Sequence, residues 1–387
     1  MARIVYLVTA AVTADRFLKD HMAFLSRMGF DVHLVCQRSA EFPALASARG
    51  ITVHDLPMRR EPSPLPDLVA LLRLARLLKR LRPAIVNAST PKAGLLGMIA
   101  SRLAGVKHRI YLLRGLRLET STGFTRRISR LAERTTSSLA TRIVAVSNSL
   151  RQRYVEVGLA GKKGVEVLAQ GSSNGVDASR FDHPNDRTSQ SEVRRRLELP
   201  SDSPLIGFFG RLTRDKGIAD LVAVFQTEIQ RRLPTSKLLL VGPLETGDAL
   251  PGDTLAAITC TEAIIHRDYT EDLAPYYQAI DVLAFPSYRE GFPNVPLEAA
   301  AAGKPVVGYS ATGTVDAVVD SETGTLVHTG DRPALAKALI QYLTDSGLSR
   351  RHGEAGRIRA CRDFGQEEVW RAWASVYDAL LTGANAE

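Results

Sequence analysis

Short, largely apolar segments rich in Val and Ile recur along this chain, spaced to leave room for a helix between most of them. Seven fall in the first half, at residues 3–9, 31–36, 51–56, 84–88, 108–113, 142–147 and 164–169. Six more fall in the second, at 204–210, 237–243, 262–266, 281–287, 304–309 and 323–328. Strands that do not alternate apolar with polar residues are covered on both faces, and strands separated by helices pair in parallel. The pattern therefore predicts an α/β fold of doubly wound parallel sheets. At 387 residues the chain exceeds what one core usually serves. The stretch 171–190, GSSNGVDASRFDHPNDRTSQ, has the Gly, Asn, Asp and Pro content of a linker. The expected lobes are accordingly 1–183 and 184–364. The remainder, 365–387, holds an amphipathic helix over 365–383 with Trp370, Trp373 and Tyr377. Those aromatics either cover the second lobe or cross back to clasp the first.

Charge divides unevenly between the lobes. Residues 1–183 carry 29 Lys and Arg against 13 Asp and Glu, a net +16, and the rest of the chain carries −7. A basic lobe favours an anionic membrane face or a phosphate-bearing substrate. No helix-turn-helix, zinc-finger or aromatic-rich basic strand pattern supports nucleic acid as the partner. The segment 68–82, LVALLRLARLLKRLR, reads as a basic amphipathic helix with Arg73, Arg76 and Arg80 on one arc and leucines opposite. It either packs on the sheet with its basic edge in water or rests on anionic headgroups, and Arg59–Arg60 and RRISR at 126–130 add to the second reading. Cys36, Cys260 and Cys361 lie far apart without metal-ligand spacing, which suits free thiols in a reducing cytoplasm. The apolar N-terminus is read as a first strand rather than a signal peptide, and no apolar run is long enough to span a membrane.

Two segments carry the chemistry. In GFFGRLTRDKGIADLV (207–222) a strand ends at Gly210, which lets backbone approach a ligand, and Arg211 and Lys216 follow five residues apart. Two cations at such a mouth neutralise a diphosphate; a plain βα turn with solvated basic residues fits the same letters. In FPSYREGFPNVPLEAAAAGKPVVGY (285–309) Glu290 sits on a loop at the carboxyl end of a strand and Glu298 near the start of the next helix. Both can face one ligand, and the helix start offers N–H groups to a phosphate. A surface loop with a capped helix is the alternative.

Together with ATGTVDAVVDSETGTLV further on, these segments resemble the nucleotide-sugar-binding lobe of the retaining glycosyltransferases of family 4. The pattern spans most of 204–330. TPKAGLLG (90–97), RGLRLE (114–119) and GSSNGVD (171–177) resemble the bacterial branch that builds capsules and other surface glycans. The resemblance implies the GT-B fold, two Rossmann-like lobes facing across a cleft. It implies that Arg211 and Lys216 hold the diphosphate of a nucleotide sugar, read as UDP-linked, and stabilise it as it leaves. Glu290 would contact the donor sugar, a hexose or N-acetylated hexose. The backbone from Gly291 and Phe292 through Pro293 and Asn294 would approach sugar and phosphates, and Glu298 would bind the ribose. The acceptor would be a lipid-linked or growing surface glycan, met by a cytoplasmic enzyme at the inner face of the membrane. No metal or other cofactor is expected, since the cations supply the charge and no Asp-x-Asp triplet is present.

The first lobe departs from its relatives. Arg114 stands where many carry a histidine; it cannot act as a base at neutral pH but can pair with a phosphate or orient a hydroxyl, unless it forms a structural ion pair. Asn87 and Ser89 replace a His-containing form. Thr90 is placed to cap a helix with Pro91 at its first position, and Lys92 opposes the helix dipole there, which suits an anionic acceptor group or a side chain swung into water. Asn87, Thr90, Lys92 and Arg114 form the expected acceptor set. His21 reads as a core or helix-surface residue rather than a catalytic one, and TAAVTADRF (9–17) lacks the glycine of its relatives. A nucleotide-sugar 2-epimerase of the same fold and a non-catalytic sugar-nucleotide-binding protein are the rival readings.

Overall fold

The computed structural model of the protein describes residues 1–48, 50–59, 63–119, 123–172, 174–181, 187–245 and 248–383. Contacts divide the chain into two compact units, Met1–Asn174 with Gln366–Glu387, and Gly175–Gly365. The boundary expected between 183 and 184, like Arg60, lies outside the described residues. The division by contacts comes earlier, at 174/175, and the last residues of the turn-rich stretch already belong to the helix Arg187–Arg196.

Unit 1 holds a parallel sheet of β1 (Arg3–Ala10), β2 (Asp31–Gln37), β3 (Ile51–Asp55), β4 (Ile85–Ser89), β5 (His108–Leu113), β6 (Arg142–Ala145) and β7 (Glu166–Val167). The spatial order is β3-β2-β1-β4-β5-β6-β7, so the direction of winding reverses between β1 and β4. The helix Pro91–Leu103 lies between Pro64–Leu81 and Gly123–Leu139 and touches both. It sits tightly on the sheet, because a Cβ at Gly97 would lie 2.6 Å from Leu7 and 2.9 Å from Ala88. The helix expected over 68–82 starts earlier, at Pro64, and buries only Ala70, Leu74, Ala75 and Leu78. Its leucines are therefore not all turned inward. The terminal helix, Gln366–Thr382, packs within this unit. The hydroxyl of Tyr377 is 2.7 Å from that of Tyr6 and accepts the Asn87 amide at 2.8 Å. Trp370 stacks on His21 with ring centroids 6.3 Å apart.

Unit 2 repeats the design with β8 (Leu205–Phe209), β9 (Lys237–Val241), β10 (Ile264–Arg267), β11 (Val282–Phe285), β12 (Val306–Tyr309) and β13 (Gly324–Val327). The order is β10-β9-β8-β11-β12-β13, all parallel, reversing between β8 and β11. The helix expected over 215–233 is composite: Ile218–Val224, a π turn Phe225–Ile229 and Gln230–Arg232. The wider turn keeps both Phe225 and Ile229 fully buried. An unanticipated helix, Ser346–Asp363, packs against Asn294–Ala301. Contact there is backbone to backbone, since a Cβ at Gly353 would lie 2.1 Å from the Gly303 carbonyl.

The helix Gly123–Leu139 turns a polar face to unit 1. Glu133, 5% exposed, accepts hydrogen bonds from Tyr154 at 3.0 Å and Tyr111 at 3.0 Å. Burial pushes its carboxyl up to about 7, against the pull of those two hydroxyls. The folded state thus binds a proton that the unfolded chain has released, so stability falls as pH rises from the ordinary glutamate range to about 7 and levels above it. We expect Glu133→Gln to abolish that decline, seen as a smaller difference between urea midpoints at acidic and mildly alkaline pH than the unsubstituted protein shows.

Candidate active site

Loops leaving the carboxyl ends of strands diverge where strand order reverses, and open α/β sheets bind ligands in the crevice so formed. In unit 2 that point lies between β8 and β11. Gly210 follows β8 at φ 140° and Gly217 closes the loop at φ 71°. A Cβ on Gly217 would lie 2.1 Å from the Pro286 carbonyl, so only glycine lets the loop after β8 lie on the loop after β11. This approach brings Lys216 onto Glu290. The Lys216 ammonium donates to Glu290 Oε1, which also accepts from Ser287 Oγ at 2.7 Å. Both side chains are largely buried, 18% and 14% exposed. A third loop, after β12, braces the acid: the Glu290 N–H donates to the Thr312 carbonyl at 2.9 Å, and Gly313 lies against the Gly291 carbonyl.

Arg211 is more open and donates to Glu245 at 2.7 Å rather than to Glu290. Asp215 accepts from Thr213 at 2.6 Å and faces Arg289 at 3.5 Å. Burial pushes the Asp215 carboxyl up, but Thr213 and the nearby cations Lys216, Arg289 and Arg211 together hold it below its ordinary value. The loop mouth therefore pairs three cations, Lys216, Arg211 and Arg289, with the acids Glu290, Glu245 and Asp215. Glu298, on the helix Asn294–Ala301 after Pro293, accepts from Tyr277 at 2.7 Å, and burial raises its carboxyl. Phe292 is 9% exposed and packs on Phe364, which makes its side chain an anchor for the loop.

Beneath these loops lies Asp220, 4% exposed. Its Oδ2 accepts from the Tyr288 and Tyr309 hydroxyls, and its Oδ1 accepts from Arg332 Nε at 2.8 Å. Tyr288 immediately precedes Arg289 and Glu290, so this knot fixes the root of the acidic loop. Sequence reasoning missed Ser287, Tyr277, Asp220, Arg289 and Glu245; Ser287 and Arg289, three and one residues before Glu290 in the same motif, left a local signal.

Unit 1 is more occupied than expected at its own reversal point. Thr90 does not cap the helix Pro91–Leu103 with its side chain; its hydroxyl pairs with that of Thr9 at 2.7 Å. It adopts φ 72°, a strained value for a β-branched residue. Lys92 does not swing into water: its ammonium donates to Asp67 at 2.8 Å. Asn87, 1% exposed, gives its amide to Tyr377 and is a packing residue in this structure. Arg114 lies 5.7 Å over the Phe17 ring; burial lowers it to about 10, which leaves it cationic at neutral pH. Burial first, and Arg114 second, lower His21 to about 3, so it is a neutral core ring. Among the described residues no three His, Cys, Asp or Glu side chains converge as a metal site. A hollow of about 700 Å³ lined by Arg3, Arg80 and Arg82 opens before β1 and β4, at the opposite edge from the loops, so size does not mark the site here.

Residues 203–345 match the family model described as glycosyl transferases group 1, and residues 15–171 match that of the glycosyl transferase 4-like domain. The chain is 33% identical over 379 residues to the capsular polysaccharide biosynthesis glycosyltransferase CapM of Staphylococcus aureus, covering 98% of this chain and 97% of that protein. It is similar in structure to HepE of Anabaena in complex with UDP-glucose, with a TM-score of 0.80 and 21% identity over 98% of this chain and 100% of that one. Sucrose-phosphate synthase from Thermosynechococcus elongatus gives a TM-score of 0.82 at 20% identity, covering 99% and 100%. At such identities the likeness is one of fold, and the fold is GT-B.

The knot at Asp220 makes a direct prediction. Asp220→Ala strands the buried Tyr309 hydroxyl, leaves the more exposed Tyr288 hydroxyl without its acceptor and frees Arg332, and should cost about 3 kcal/mol. Tyr288→Phe removes one donor to a charged acceptor and should cost about 1.5 kcal/mol. Chemical denaturation of the full chain checks both values and their order.

Proposed function

The chain belongs to the group 1 glycosyltransferases with a family-4-like N-terminal domain, and on that premise we propose that it moves a sugar from a nucleotide sugar to a surface-glycan acceptor with retention of configuration. The observation that carries the reading is the Lys216–Glu290 pair at the reversal point of the unit 2 sheet. It holds a cation suited to a diphosphate and a carboxylate suited to a sugar within one hydrogen bond of each other. A UDP-linked hexose or N-acetylated hexose is the donor; HepE, which shares the fold, is seen in complex with UDP-glucose. A lipid-linked or growing glycan is the acceptor, in keeping with the capsular relative. Use of a nucleotide sugar places the reaction in the cytoplasm. No described helix is long and apolar enough to cross a membrane.

The bond that breaks joins the anomeric carbon to the diphosphate oxygen. Positive character builds on the sugar ring and negative charge on the leaving group. Lys216 and Arg211 meet that charge, with Arg211 exchanging Glu245 for phosphate, and so stabilise the transition state more than the bound donor. They make a bound metal ion unnecessary. Glu290 holds the sugar near the reacting carbon, Glu298 holds the ribose, and the backbone of Gly210, Gly291, Pro293 and Asn294 admits the donor closely. The acceptor hydroxyl attacks from the face the diphosphate leaves, and its proton passes to a departing phosphate oxygen. No histidine base is required, which suits the neutral, buried His21 and the cationic Arg114. Arg114 and Thr90 are the acceptor-side contacts of unit 1.

Incubation with UDP-sugars and a polyprenyl-diphosphate-linked acceptor should yield free UDP and a glycosylated product of unchanged anomeric configuration, with activity surviving EDTA. Glu290→Gln and Lys216→Ala should each lower turnover by roughly a hundredfold or more, with circular dichroism unchanged. Near-normal turnover in both variants would remove the site assignment. An epimerised free sugar, or binding without turnover, would replace transfer by one of the rival activities.

A further inference from the structure

We propose that Glu245 drives release of the nucleoside diphosphate, by reclaiming Arg211 once the sugar has been transferred. This rests on the reading of Arg211 and Lys216 as the diphosphate site. It adds a positioning residue, one that acts on donor and product only through Arg211.

The segment that follows β9 lies against the loop that follows β8. Gly242 permits the approach, since a Cβ there would lie 2.0 Å from the Gly210 carbonyl. Four hydrogen bonds then join the two. The Leu212 N–H donates to the Pro243 carbonyl at 2.9 Å, and Arg214 Nε donates to the Ala249 carbonyl at 2.6 Å. The Asp215 N–H donates to Asp248 Oδ2 at 3.3 Å. These three involve backbone groups and seat the segment. The fourth joins two side chains: Arg211 Nη1 donates to Glu245 Oε2 at 2.7 Å. The segment can therefore stay in place while Arg211 changes partner.

Of the three ion pairs at the mouth, this one is the most open. Arg211 and Glu245 are 39% and 30% exposed, against 28% and 21% for Arg289 and Asp215 and less again for Lys216 and Glu290. An exposed pair is weak enough for a competing anion to replace it. The acids also differ in their ties. Glu290 is held by Ser287 as well, and Asp215 by Thr213. Glu245 is thus a carboxylate presented to the guanidinium where a phosphate would otherwise bind it.

Cations that stabilise a departing diphosphate also hold it afterwards, because the free nucleoside diphosphate keeps both phosphates. An enzyme so arranged is slowed by its own product. A carboxylate tethered beside Arg211 competes for the guanidinium at a local concentration that never falls. It weakens the hold on donor and product alike, and hastens the departure of the product.

Calorimetric titration of the full chain with UDP tests this. Glu245→Gln should tighten UDP binding about fivefold, the scale of one exposed ion pair in competition. The inhibition constant for UDP should fall by the same factor, with KM for the donor and kcat falling together. Glu245→Asp, which keeps the charge, should stay close to the unsubstituted protein. In an Arg211→Gln background, Glu245→Gln should leave UDP affinity unchanged, because no guanidinium remains to be reclaimed. Unchanged or weaker UDP binding by Glu245→Gln, with Lys216→Ala still impairing it, overturns this proposal alone; weaker binding would mean that Glu245 holds Arg211 in place for the phosphate. A full effect of Glu245→Gln in the absence of Arg211 overturns it too. Equal UDP binding by Lys216→Ala and the unsubstituted protein removes the diphosphate site itself, and this proposal with it.

Discussion

The ion pair between Lys216 and Glu290 joins two loops that leave neighbouring strands of unit 2 and turn in opposite directions. Most of what surrounds it exists to permit it. Gly217 removes the side chain that would hold the loops apart, Ser287 adds a second donor to the acid, and Gly313 brings the loop after β12 up behind it. A largely buried pair of this kind adds little net stability, because desolvating two charges offsets most of their attraction. Its value lies in holding opposite charges ready at a sheet edge where Arg211–Glu245 and Arg289–Asp215 pair as well.

The two units use one topology with different electrostatics. At the reversal point of unit 1 the contact is a neutral one, Thr9 with Thr90, and it is made at the cost of a left-handed threonine. Unit 1 carries exposed arginines on its outer helices, while unit 2, with a net −5, sets Arg211, Lys216 and Arg289 at the loop mouth. A shared fold therefore says where a ligand enters each sheet and leaves its chemistry to the loops.

The central strands were legible because both faces of each are buried, so their letters are largely apolar. The placement of Glu290 on the loop after β11 and of Glu298 on the next helix was legible because one βα unit carries both. What stayed hidden has partners far away in the chain. Asp67 claims Lys92 from 25 residues upstream. The donors to Asp220 lie 68, 89 and 112 residues from it. The helix Ser346–Asp363 escaped because it packs through Gly353 and Gly356 and so shows no apolar stripe. In Gly123–Leu139 the amphipathic pattern was present in the letters, yet periodicity does not say which face turns inward.

Asp220 has a consequence of another kind. A carboxylate whose two oxygens already serve three side chains from three separate segments leaves no slack among them. The root of the acidic loop, the end of β12 and the start of Arg332–Thr344 behave as one rigid piece. A ligand meeting Glu290 then encounters a loop already frozen in place, and the conformational entropy that flexible loops lose on binding has been surrendered during folding. Affinity at such a mouth is governed by contacts and charge, and little of it is lost to ordering the protein.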